Sequence, residues 1–525
     1  MRALIADAVD PQCARILAAA GLDVDDAPGL PAGELKRRIA GAGVLIVRSQ
    51  TMVTAELLEA AKDLRVVGRA GAGVDNIDVS AATRRGVVVL NTPGGNTIST
   101  AEHTMSMMLA LARNIPEAHR SVKSGAWDRK AFVGTEMQGK CLGILGLGKV
   151  GAEVAKRAAA FGMKILAYDP AQSPESAARV GAALVDLGTL AGESDILTVH
   201  SPLLPETRGL IGKDLLAKCR RGVRIINCAR GGIVDERALL DALNSGHVAG
   251  AALDVFEHEP PGISELVRHP NVVVTPHLGA STEEAQEKVA VQIARQVVDL
   301  LQGREVAGSV NAEVLRLSMK AELRPWLELA EKLGQMLAQM NEGTIRSVSV
   351  TACGDLLADA LPALGAAVVK GILRRMLDEP VNELNAPVIA RERGISVNTH
   401  QRSVDETYSQ VISAGCRSER RLTTFSGTVF GSSDIRLIGL DEYRCEIRPE
   451  GHLLLYLNID RPGMLARVSD ILARAGINIG GLSLGRLDRG SQALTIIAVD
   501  SPVAPGQLRE IASVEGVSDV KTVSL

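Results

Sequence analysis

The chain has 525 residues and a formal net charge of −3, and its length predicts about three or four domains. This charge and an aromatic content of 2% give no reason to expect nucleic-acid or membrane partners. The start lacks the order of a signal peptide, no uncharged apolar run could span a bilayer, and the seven cysteines are scattered singly. We expect a cytoplasmic enzyme, and the spacing of the histidines predicts no metal site.

Residues 1–97 alternate strands and helices, with strands predicted at 4–7, 44–48 and 66–69. The loop Gly71-Ala72-Gly73-Val74-Asp75-Asn76 resembles a dinucleotide-binding loop, but Asn76 occupies the position of the third glycine. We therefore expect the corresponding turn of a related α/β unit that binds a different ligand.

A complete dinucleotide-binding unit begins near residue 98. A buried strand leads into Gly146, Gly148 and Gly151, a helix follows, and the next strand delivers Asp169. The glycines permit a tight turn, close approach of a pyrophosphate and close packing of helix on strand. The helix N-terminus adds unpaired N–H groups that favour an anion. Because Asp169 can bind ribose hydroxyls and would repel a 2′-phosphate, the pattern predicts NAD as the cofactor.

Ligands of open α/β sheets bind at the carboxyl ends of the strands. In this unit those ends carry His200, Arg230, Asp254, Glu259 and His277. Oxidation of a 2-hydroxy acid needs a base for the hydroxyl proton, a carboxylate to orient that base, and a bidentate clamp for the substrate carboxylate. His277, Glu259 and Arg230 fit these roles, although Asp254 and Glu257 lie close to Glu259 in sequence. His200 fits a wall of the cofactor pocket better than a base.

The regular alternation stops near residue 320. Residues 320–450 are predicted to mix helices and strands, and they contain no chemical motif that we can interpret. From about His452 the order is strand, helix, two strands, helix and strand. This βαββαβ pattern indicates a ferredoxin-like topology.

The motifs around Arg230 (Cys228-Ala229-Arg230-Gly231-Gly232), Glu259 (His258-Glu259-Pro260) and His277 (Thr275-Pro276-His277-Leu278-Gly279) resemble those of D-isomer-specific 2-hydroxyacid dehydrogenases. Over essentially its whole length, the chain resembles the long-form phosphoglycerate dehydrogenases of that family. The resemblance implies an α/β protein of four domains: a flavodoxin-like substrate-binding domain at 1–97 completed by 281–315, a doubly wound Rossmann NAD-binding domain at 98–280, a mixed α/β intervening domain at 316–451, and a ferredoxin-like ACT domain at 452–525.

The resemblance carries catalytic roles onto Arg230, Glu259 and His277. It implies NAD-dependent oxidation of 3-phosphoglycerate to 3-phosphohydroxypyruvate, the first step of L-serine biosynthesis. Cofactor contacts are expected at Gly146, Gly148, Lys149, Val150, Gly151, Asp169, His200, Ser201, Cys228, Ala229, Arg230, Asp254, His277, Gly279 and Ala280.

Substrate contacts are expected on two loops. Arg48 is expected to bind phosphate or carboxylate, with Ser49 and Asn96 as its neighbours. Arg129 and Lys130 form a basic pair that is either a solvated turn or, as the resemblance implies, a loop that reaches the active site of a partner subunit.

The resemblance also predicts assembly and regulation. The Trp127 indole lacks an evident intrachain core, which favours a homo-oligomer, at least a dimer and by expectation a tetramer. Asp460, in a loop that matches the ACT pattern, and Asn478 predict an L-serine effector site where ACT domains pair. Asn458 departs from the aromatic residue of some long-form relatives.

Two other functions could use the same scaffold. A reductase of glyoxylate or other non-phosphorylated 2-hydroxy acids would not need Arg48, the Arg129-Lys130 pair or the long C-terminal extension. An NAD-sensing binding protein could keep both the fold and the catalytic set. Intact chemistry together with an amino-acid-sensing domain favours the biosynthetic enzyme.

Overall fold

A computed structural model describes residues 1–304, 307–312, 317, 320–402 and 407–525. The N-terminal elements are β1 (Arg2–Ile5), α1 (Gln12–Ala19), β2 (Asp23–Asp26), α2 (Ala32–Ile39), β3 (Ala42–Val47), α3 (Ala55–Ala60), β4 (Val66–Arg69), α4 (Val79–Arg84) and β5 (Val88–Leu90). Their strands form a parallel sheet, the first sheet, in the flavodoxin-like order β2-β1-β3-β4-β5. Every residue of the central strand β3 is buried, as expected where both faces of a parallel sheet are covered.

The second sheet is the dinucleotide-binding unit. Its elements are α5 (Thr97–Ala112), α6 (Ile115–Lys123), β6 (Cys141–Leu145), α7 (Lys149–Ala160), β7 (Lys164–Tyr168), α8 (Pro174–Ala178), β8 (Ala182–Leu184), α9 (Leu187–Glu193), β9 (Ile196–Val199), α10 (Lys213–Lys218), β10 (Val223–Asn227), α11 (Glu236–Asn244), β11 (Val248–Leu253), α12 (Glu265–Arg268) and β12 (Val272–Val274). The strand order is β12-β11-β10-β9-β6-β7-β8, and it reverses between β6 and β9, where Rossmann folds bind their ligands.

A long helix returns the chain to the first sheet. Helix α13 (Glu283–Leu301) begins after Thr282, whose hydroxyl accepts a hydrogen bond from the Ala285 N–H at 3.2 Å. Its apolar face, including Ile293 and Val297, is buried in the core of the first sheet. The predicted boundary between 315 and 316 lies outside the described residues.

The middle unit contains a mixed sheet, the third sheet. Its elements are α14 (Arg324–Met340), β13 (Ile345–Cys353), α15 (Asp355–Ala358), α16 (Leu361–Met376), α17 (Ala386–Glu392), β14 (Ser396–Arg402), β15 (Val411–Ser418), β16 (Leu422–Phe430), β17 (Asp434–Leu440) and β18 (Tyr443–Ile447). The strand order is β14-β13-β15-β16-β17-β18, with β14 parallel to β13. Helices α14 and α16 cross closely at Gly334. A Cβ at this position would lie 2.1 Å from the Val368 carbonyl oxygen, so the crossing requires glycine.

The C-terminal unit has the predicted βαββαβ order. It consists of β19 (His452–Ile459), α18 (Met464–Arg474), β20 (Ile479–Arg486), β21 (Gln492–Val499), α19 (Pro505–Ala512) and β22 (Val517–Ser524). In this fourth sheet the order is β20-β21-β19-β22, and the pairs are antiparallel. Leu454 and Tyr456 pack among residues of α18 and α19, whereas Leu453 and Leu455 join the core of the middle unit. The predicted α/β fold class is confirmed.

The middle unit also contacts the first sheet. The Asn382 side-chain amide donates to the Gly86 carbonyl, just after α4, at 2.9 Å. The neighbouring Glu383 accepts a hydrogen bond at 2.6 Å from Lys370, which also pairs with Glu331 of α14 at 2.8 Å. These contacts connect α14 with the end of α4. Helix α14 also contacts the fourth sheet, where the Gln339 side chain donates to the Ser524 carbonyl at 3.1 Å. Among the described helices, none is long and apolar enough to cross a membrane.

Candidate active site

A cleft lies between the carboxyl ends of the first and second sheets. It encloses a cavity of about 410 Å³, a size that suits a small-molecule ligand. The described residues that line it include Arg48, Ser49, Arg69, Asn96, Arg230, Glu259 and His277. The structure therefore brings the three predicted catalytic residues together with Arg48, Ser49 and Asn96.

His277 and Glu259 form a close pair in this cleft. The distance between His277 Nδ1 and Glu259 Oε2 is 2.7 Å, so that Nδ1 faces the carboxylate. Burial alone would raise the pKa of Glu259, but the hydrogen bond and charge of His277 outweigh it and lower the pKa below its ordinary value. The other Glu259 oxygen accepts from the Phe256 N–H at 3.2 Å. Glu259 is thus an anion at neutral pH, held in place to orient the imidazole.

Asp254 fixes the loop that carries His277. Its buried carboxylate accepts hydrogen bonds from the Leu278 N–H at 2.7 Å, the Gly279 N–H at 2.9 Å and the Thr275 hydroxyl at 2.5 Å. His103 Nε2 lies 3.1 Å from the same carboxylate. Burial would raise the pKa of Asp254, but the bonds from His103 and Thr275 lower it. Donors from the chain bond to both oxygens, so the carboxylate holds the loop that carries His277. The contact of Asp254 with the cofactor stays a prediction.

Arg230 projects into the cleft from the turn after β10. Its Nε lies 3.0 Å from Asp75 Oδ2, on the loop of the first sheet that follows β4. The Asn227 side chain closes the turn by donating to the Arg230 carbonyl at 2.9 Å. A Cβ at Gly231 would lie 1.7 Å from the Phe256 carbonyl oxygen, so only glycine fits the next position. These contacts direct the guanidinium across the cleft toward the first sheet.

Arg69 is a cleft residue that the sequence interpretation missed. It lies at the carboxyl end of β4, and its Nε donates to the Asn76 side chain at 3.0 Å. Burial, with repulsion from Arg230, lowers the pKa of Arg69 to about 10, so the group remains cationic at neutral pH. Together with Arg48 it gives the first-sheet side of the cleft a cationic wall. Its place at the end of a predicted strand was the signal that could have identified it.

The glycine loop after β6 fits a dinucleotide. Gly146 has φ +95°, and a Cβ there would lie 2.8 Å from the His200 carbonyl carbon. A Cβ at Gly151 would lie 2.2 Å from the Gly146 carbonyl oxygen, so helix α7 could not pack as closely with any other residue. The space over Gly148 is open, with no atom within 4 Å of a Cβ placed there. Open space at the N-terminus of α7 is where the pyrophosphate of a dinucleotide would be held.

The acidic residue after β7 lies beside this loop. The Asp169 carboxylate accepts from the Leu147 N–H at 2.8 Å and from the Ala171 N–H at 2.8 Å. These bonds fix it next to the glycine turn, where a ribose would follow the pyrophosphate. Lys149, at the start of α7, extends toward Gly94. A Cβ placed on Gly94 would lie 3.1 Å from Lys149 Nζ.

The other predicted cofactor residues lie along the same edge of the second sheet. Burial lowers the pKa of His200 to about 3, so its imidazole is neutral and only a weak base. The Ser201 hydroxyl donates to the Leu145 carbonyl at 3.2 Å. Burial raises the pKa of the Cys228 thiol to about 12. Val150 lies in α7, Ala229 follows β10, and Gly279 and Ala280 follow β12.

His103, Cys228 and Asp254 form a cluster of possible metal-ligand atoms, which all lie within 4.8 Å of one another. Sequence spacing does not reveal this cluster.

Arg129 and Lys130 lie away from this cleft in the single chain. Arg129 lines a separate groove with Trp127 and Phe132, and the Trp127 side chain is 79% exposed. The Lys130 N–H is bonded to Asp128 at 2.9 Å within an exposed turn. A role for this pair in substrate binding would require the loop to come from a second chain.

The two predicted effector residues lie at opposite ends of the fourth sheet. Asp460 follows β19 and accepts from Arg486 at 3.1 Å and the Gly490 N–H at 3.2 Å, and these bonds lower its pKa. Asn478 precedes β20 and donates to Asp500 at 2.8 Å. Strands of this length separate the two positions by about 25 Å. One chain alone cannot bring them around a single small ligand.

Three regions match known protein families. Residues 105–279 match the D-isomer specific 2-hydroxyacid dehydrogenase, NAD binding domain. Residues 322–441 match the D-3-phosphoglycerate dehydrogenase intervening domain, and residues 452–516 match the ACT domain. The fold and the cleft therefore define an oxidoreductase of the 2-hydroxyacid dehydrogenase class, with NAD as its cofactor.

Similar proteins narrow this class. D-3-phosphoglycerate dehydrogenase of Archaeoglobus fulgidus is 43% identical over 528 residues, covering 100% of both chains. The human D-3-phosphoglycerate dehydrogenase is 43% identical over 491 residues, 91% of each chain. A solved glyoxylate reductase from Paecilomyes thermophila is 30% identical with a TM-score of 0.54, covering 59% of this chain and 98% of that chain. The chain belongs to the D-3-phosphoglycerate dehydrogenase family.

Proposed function

We propose that the protein oxidises 3-phosphoglycerate to 3-phosphohydroxypyruvate with NAD, as the first step of L-serine biosynthesis. The observation that carries this proposal is a single cleft in which the His277–Glu259 pair faces Arg48, Arg69 and Arg230. An acid–base pair serves the oxidation, and several cations suit a substrate that bears both a carboxylate and a phosphate.

Arg230, His277 and Glu259 have different roles in the proposed oxidation. Arg230 grips the substrate carboxylate and polarises the adjacent C2 oxygen, since a guanidinium can donate two parallel hydrogen bonds. His277, held through Nδ1 by Glu259, takes the C2 hydroxyl proton at Nε2. When bound, NAD would supply the acceptor for the hydride that leaves C2. The proton and the hydride together account for the two hydrogens lost when the alcohol becomes a ketone.

The phosphate of the substrate distinguishes this function from general hydroxyacid oxidation. Arg48 and Arg69 project from the carboxyl ends of neighbouring strands, β3 and β4, and Ser49 lines the same cleft. Hydrogen bonds from charged donors to a phosphate are stronger than neutral ones. A substrate without phosphate would leave these cations unpaired.

Regulation by L-serine is proposed at paired ACT domains. The amino-acid carboxylate would bind the backbone N–H groups at the start of α18, near Asp460, and Asn478 would contact its amine and carboxylate. Because the two residues lie at opposite ends of one sheet, the site would combine Asp460 of one chain with Asn478 of another. The Asn458 side chain accepts from Thr495 at 2.8 Å in the core, which leaves it less free to contact an effector. We therefore expect weak inhibition.

We propose that the protein is a homo-oligomer, at least a dimer and in its complete assembly a tetramer. The exposed loop that contains Trp127 supports this proposal. Trp127 is 79% exposed and lines a groove with the exposed Val122, and it would gain stability by burial against a second chain. The same contact would bring Arg129 and Lys130 to the active site of the partner. A cytoplasmic location is proposed because all seven cysteines are buried, unpaired thiols.

The test is a comparison of substrates with the full-length wild type. NADH formation is followed with 3-phosphoglycerate and with D-glycerate, and NADH consumption is followed with glyoxylate. We expect kcat/KM for 3-phosphoglycerate to exceed that for D-glycerate by about 10- to 100-fold, the worth of the lost charged hydrogen bonds. Efficient glyoxylate reduction without 3-phosphoglycerate oxidation would favour the reductase. NAD binding without any turnover would favour an NAD sensor.

A further inference from the structure

A buried carboxylate organises the loop that carries Arg48. Asp7, the second residue after β1, is only 1% exposed. Its carboxylate accepts hydrogen bonds from the Arg48 N–H at 2.6 Å, the Gln50 N–H at 3.2 Å, the Thr51 N–H at 3.1 Å and the Thr51 hydroxyl at 2.6 Å. The turn after β3 is therefore wrapped around one anion from a neighbouring strand.

Asn76 bonds to carbonyl groups of the same turn. Its side-chain amide donates to the Arg48 carbonyl at 2.9 Å and to the Thr51 carbonyl at 2.7 Å. The side-chain oxygen of Asn76, Oδ1, accepts a hydrogen bond from Arg69 Nε at 3.0 Å. One 8% exposed side chain thus connects both first-sheet arginines of the cleft, which explains why this position of the glycine-rich loop carries asparagine.

We infer that Asp7 and Asn76 are positioning residues that determine specificity for the phosphate of the substrate. They fix the backbone from which Arg48 projects, and Asn76 also fixes the guanidinium of Arg69. Among the described residues that line the cleft, neither Asp7 nor Asn76 appears, so they act through the arginines. This inference rests on the proposed function, in which the two arginines bind the phosphate.

The chemistry explains why these residue types are needed. A carboxylate has no proton to donate, so it can accept all of these converging donors, whereas the NH2 group of an amide would face N–H groups. Replacing Asp7 by Asn should therefore displace the turn. A misplacement of about 1 Å can cost about 100-fold in rate where a charged group must meet its partner.

The experiment compares Asp7→Asn and Asn76→Ala with the wild type. For each protein, kcat/KM is measured with 3-phosphoglycerate and with D-glycerate, and their ratio is the discrimination for phosphate. Asp186→Asn is the matched control, because Asp186 also accepts from a threonine N–H, at 2.9 Å, and from the hydroxyl of that threonine, at 2.6 Å, but caps α9 away from the cleft. Thermal melting of each variant shows whether it is folded, and Asn76→Ala keeps the test valid if Asp7→Asn does not fold.

We expect the discrimination ratio to fall about tenfold or more in both variants, with kcat for D-glycerate within about twofold of wild type. The Asp186→Asn ratio should not change. Equal losses for the two substrates, or no loss, would overturn the positioning role, because a merely structural residue affects both substrates alike. A wild type without preference for 3-phosphoglycerate would instead refute the proposed function, and the inference with it.

Discussion

Replacing Glu259 by Gln removes the charge next to His277 while keeping the size of the side chain and an oxygen that can accept from Nδ1. The two atoms are 2.7 Å apart, and the His277 and Glu259 side chains are 45% and 38% exposed. A hydrogen bond to a charged group contributes about 1.5–3 kcal/mol, and solvent screening of this partly exposed pair reduces that to about 1–2 kcal/mol. Since about 1.4 kcal/mol corresponds to tenfold in rate, kcat should fall by about 5- to 30-fold.

The assay is the initial rate of NADH formation from 3-phosphoglycerate across the pH range. The acidic limb of the Glu259→Gln profile should move to lower pH, because a protonated imidazole loses its anionic partner. Glu257→Gln is the control, because it removes a nearby carboxylate whose hydrogen bond is to the Glu236 N–H rather than to His277. Unchanged kcat and an unchanged pH profile in Glu259→Gln would refute the orienting role.

The same pair makes a prediction about stability. The pKa of Glu259 is lower in the folded chain than its ordinary value, so the pair stabilises the fold above the unfolded pKa. That contribution is lost as the pH falls through the lowered folded pKa. The difference in free energy of unfolding between wild type and Glu259→Gln should therefore be present at neutral pH and vanish in acid, as measured by urea titration. A difference that does not depend on pH would contradict the ion pair.

Further substitutions test the rest of the account. His277→Ala should lower kcat by about 10²- to 10⁴-fold, and near-normal turnover would remove the base assignment. Asp169→Ala should bring NAD and NADP toward equal kcat/KM, and a wild type that used both equally would contradict the ribose role. Trp127→Ala should weaken the oligomer in sedimentation, whereas an active wild-type monomer would exclude the predicted contact. Asn382→Ala removes the hydrogen bond between the middle unit and the Gly86 carbonyl of the substrate-binding domain. It should weaken serine inhibition without changing the uninhibited kcat, and full inhibition would show that this hydrogen bond does not connect the ACT domain with the active site.

Much of the site was predictable because the carboxyl ends of parallel strands converge. Arg48, Arg230 and His277 follow strands that the apolar pattern identifies, and the structure brings them into one cleft. Glu259 follows no strand directly, and its pairing with His277 was expected from its motif. Arg69 ends a predicted strand, but its entry into the cleft depends on the hydrogen bond from its Nε to the Asn76 side chain, which strand position alone does not reveal.

Other features depend on contacts that sequence spacing does not encode. The bonds of the buried Asp254 carboxylate to the Leu278 and Gly279 N–H groups are visible only in the fold, and the contact of Asp254 with the cofactor stays a prediction. Strand β2 (Asp23–Asp26) was not predicted, since three of its four residues are aspartates, a residue type that is uncommon in strands. The separation of Asp460 and Asn478 along the fourth sheet follows from strand pairing, which only the fold reveals.

The central claim is that the cleft binds the phosphate of 3-phosphoglycerate through its cationic wall while His277 accepts the proton. The most direct test measures kcat/KM for 3-phosphoglycerate and D-glycerate in wild type and in Arg48→Ala. If Arg48 binds the phosphate, the wild type should strongly prefer 3-phosphoglycerate, and Arg48→Ala should lose about 10-fold or more of that preference. A preference that is absent in the wild type, or unchanged when Arg48 is removed, would contradict the account.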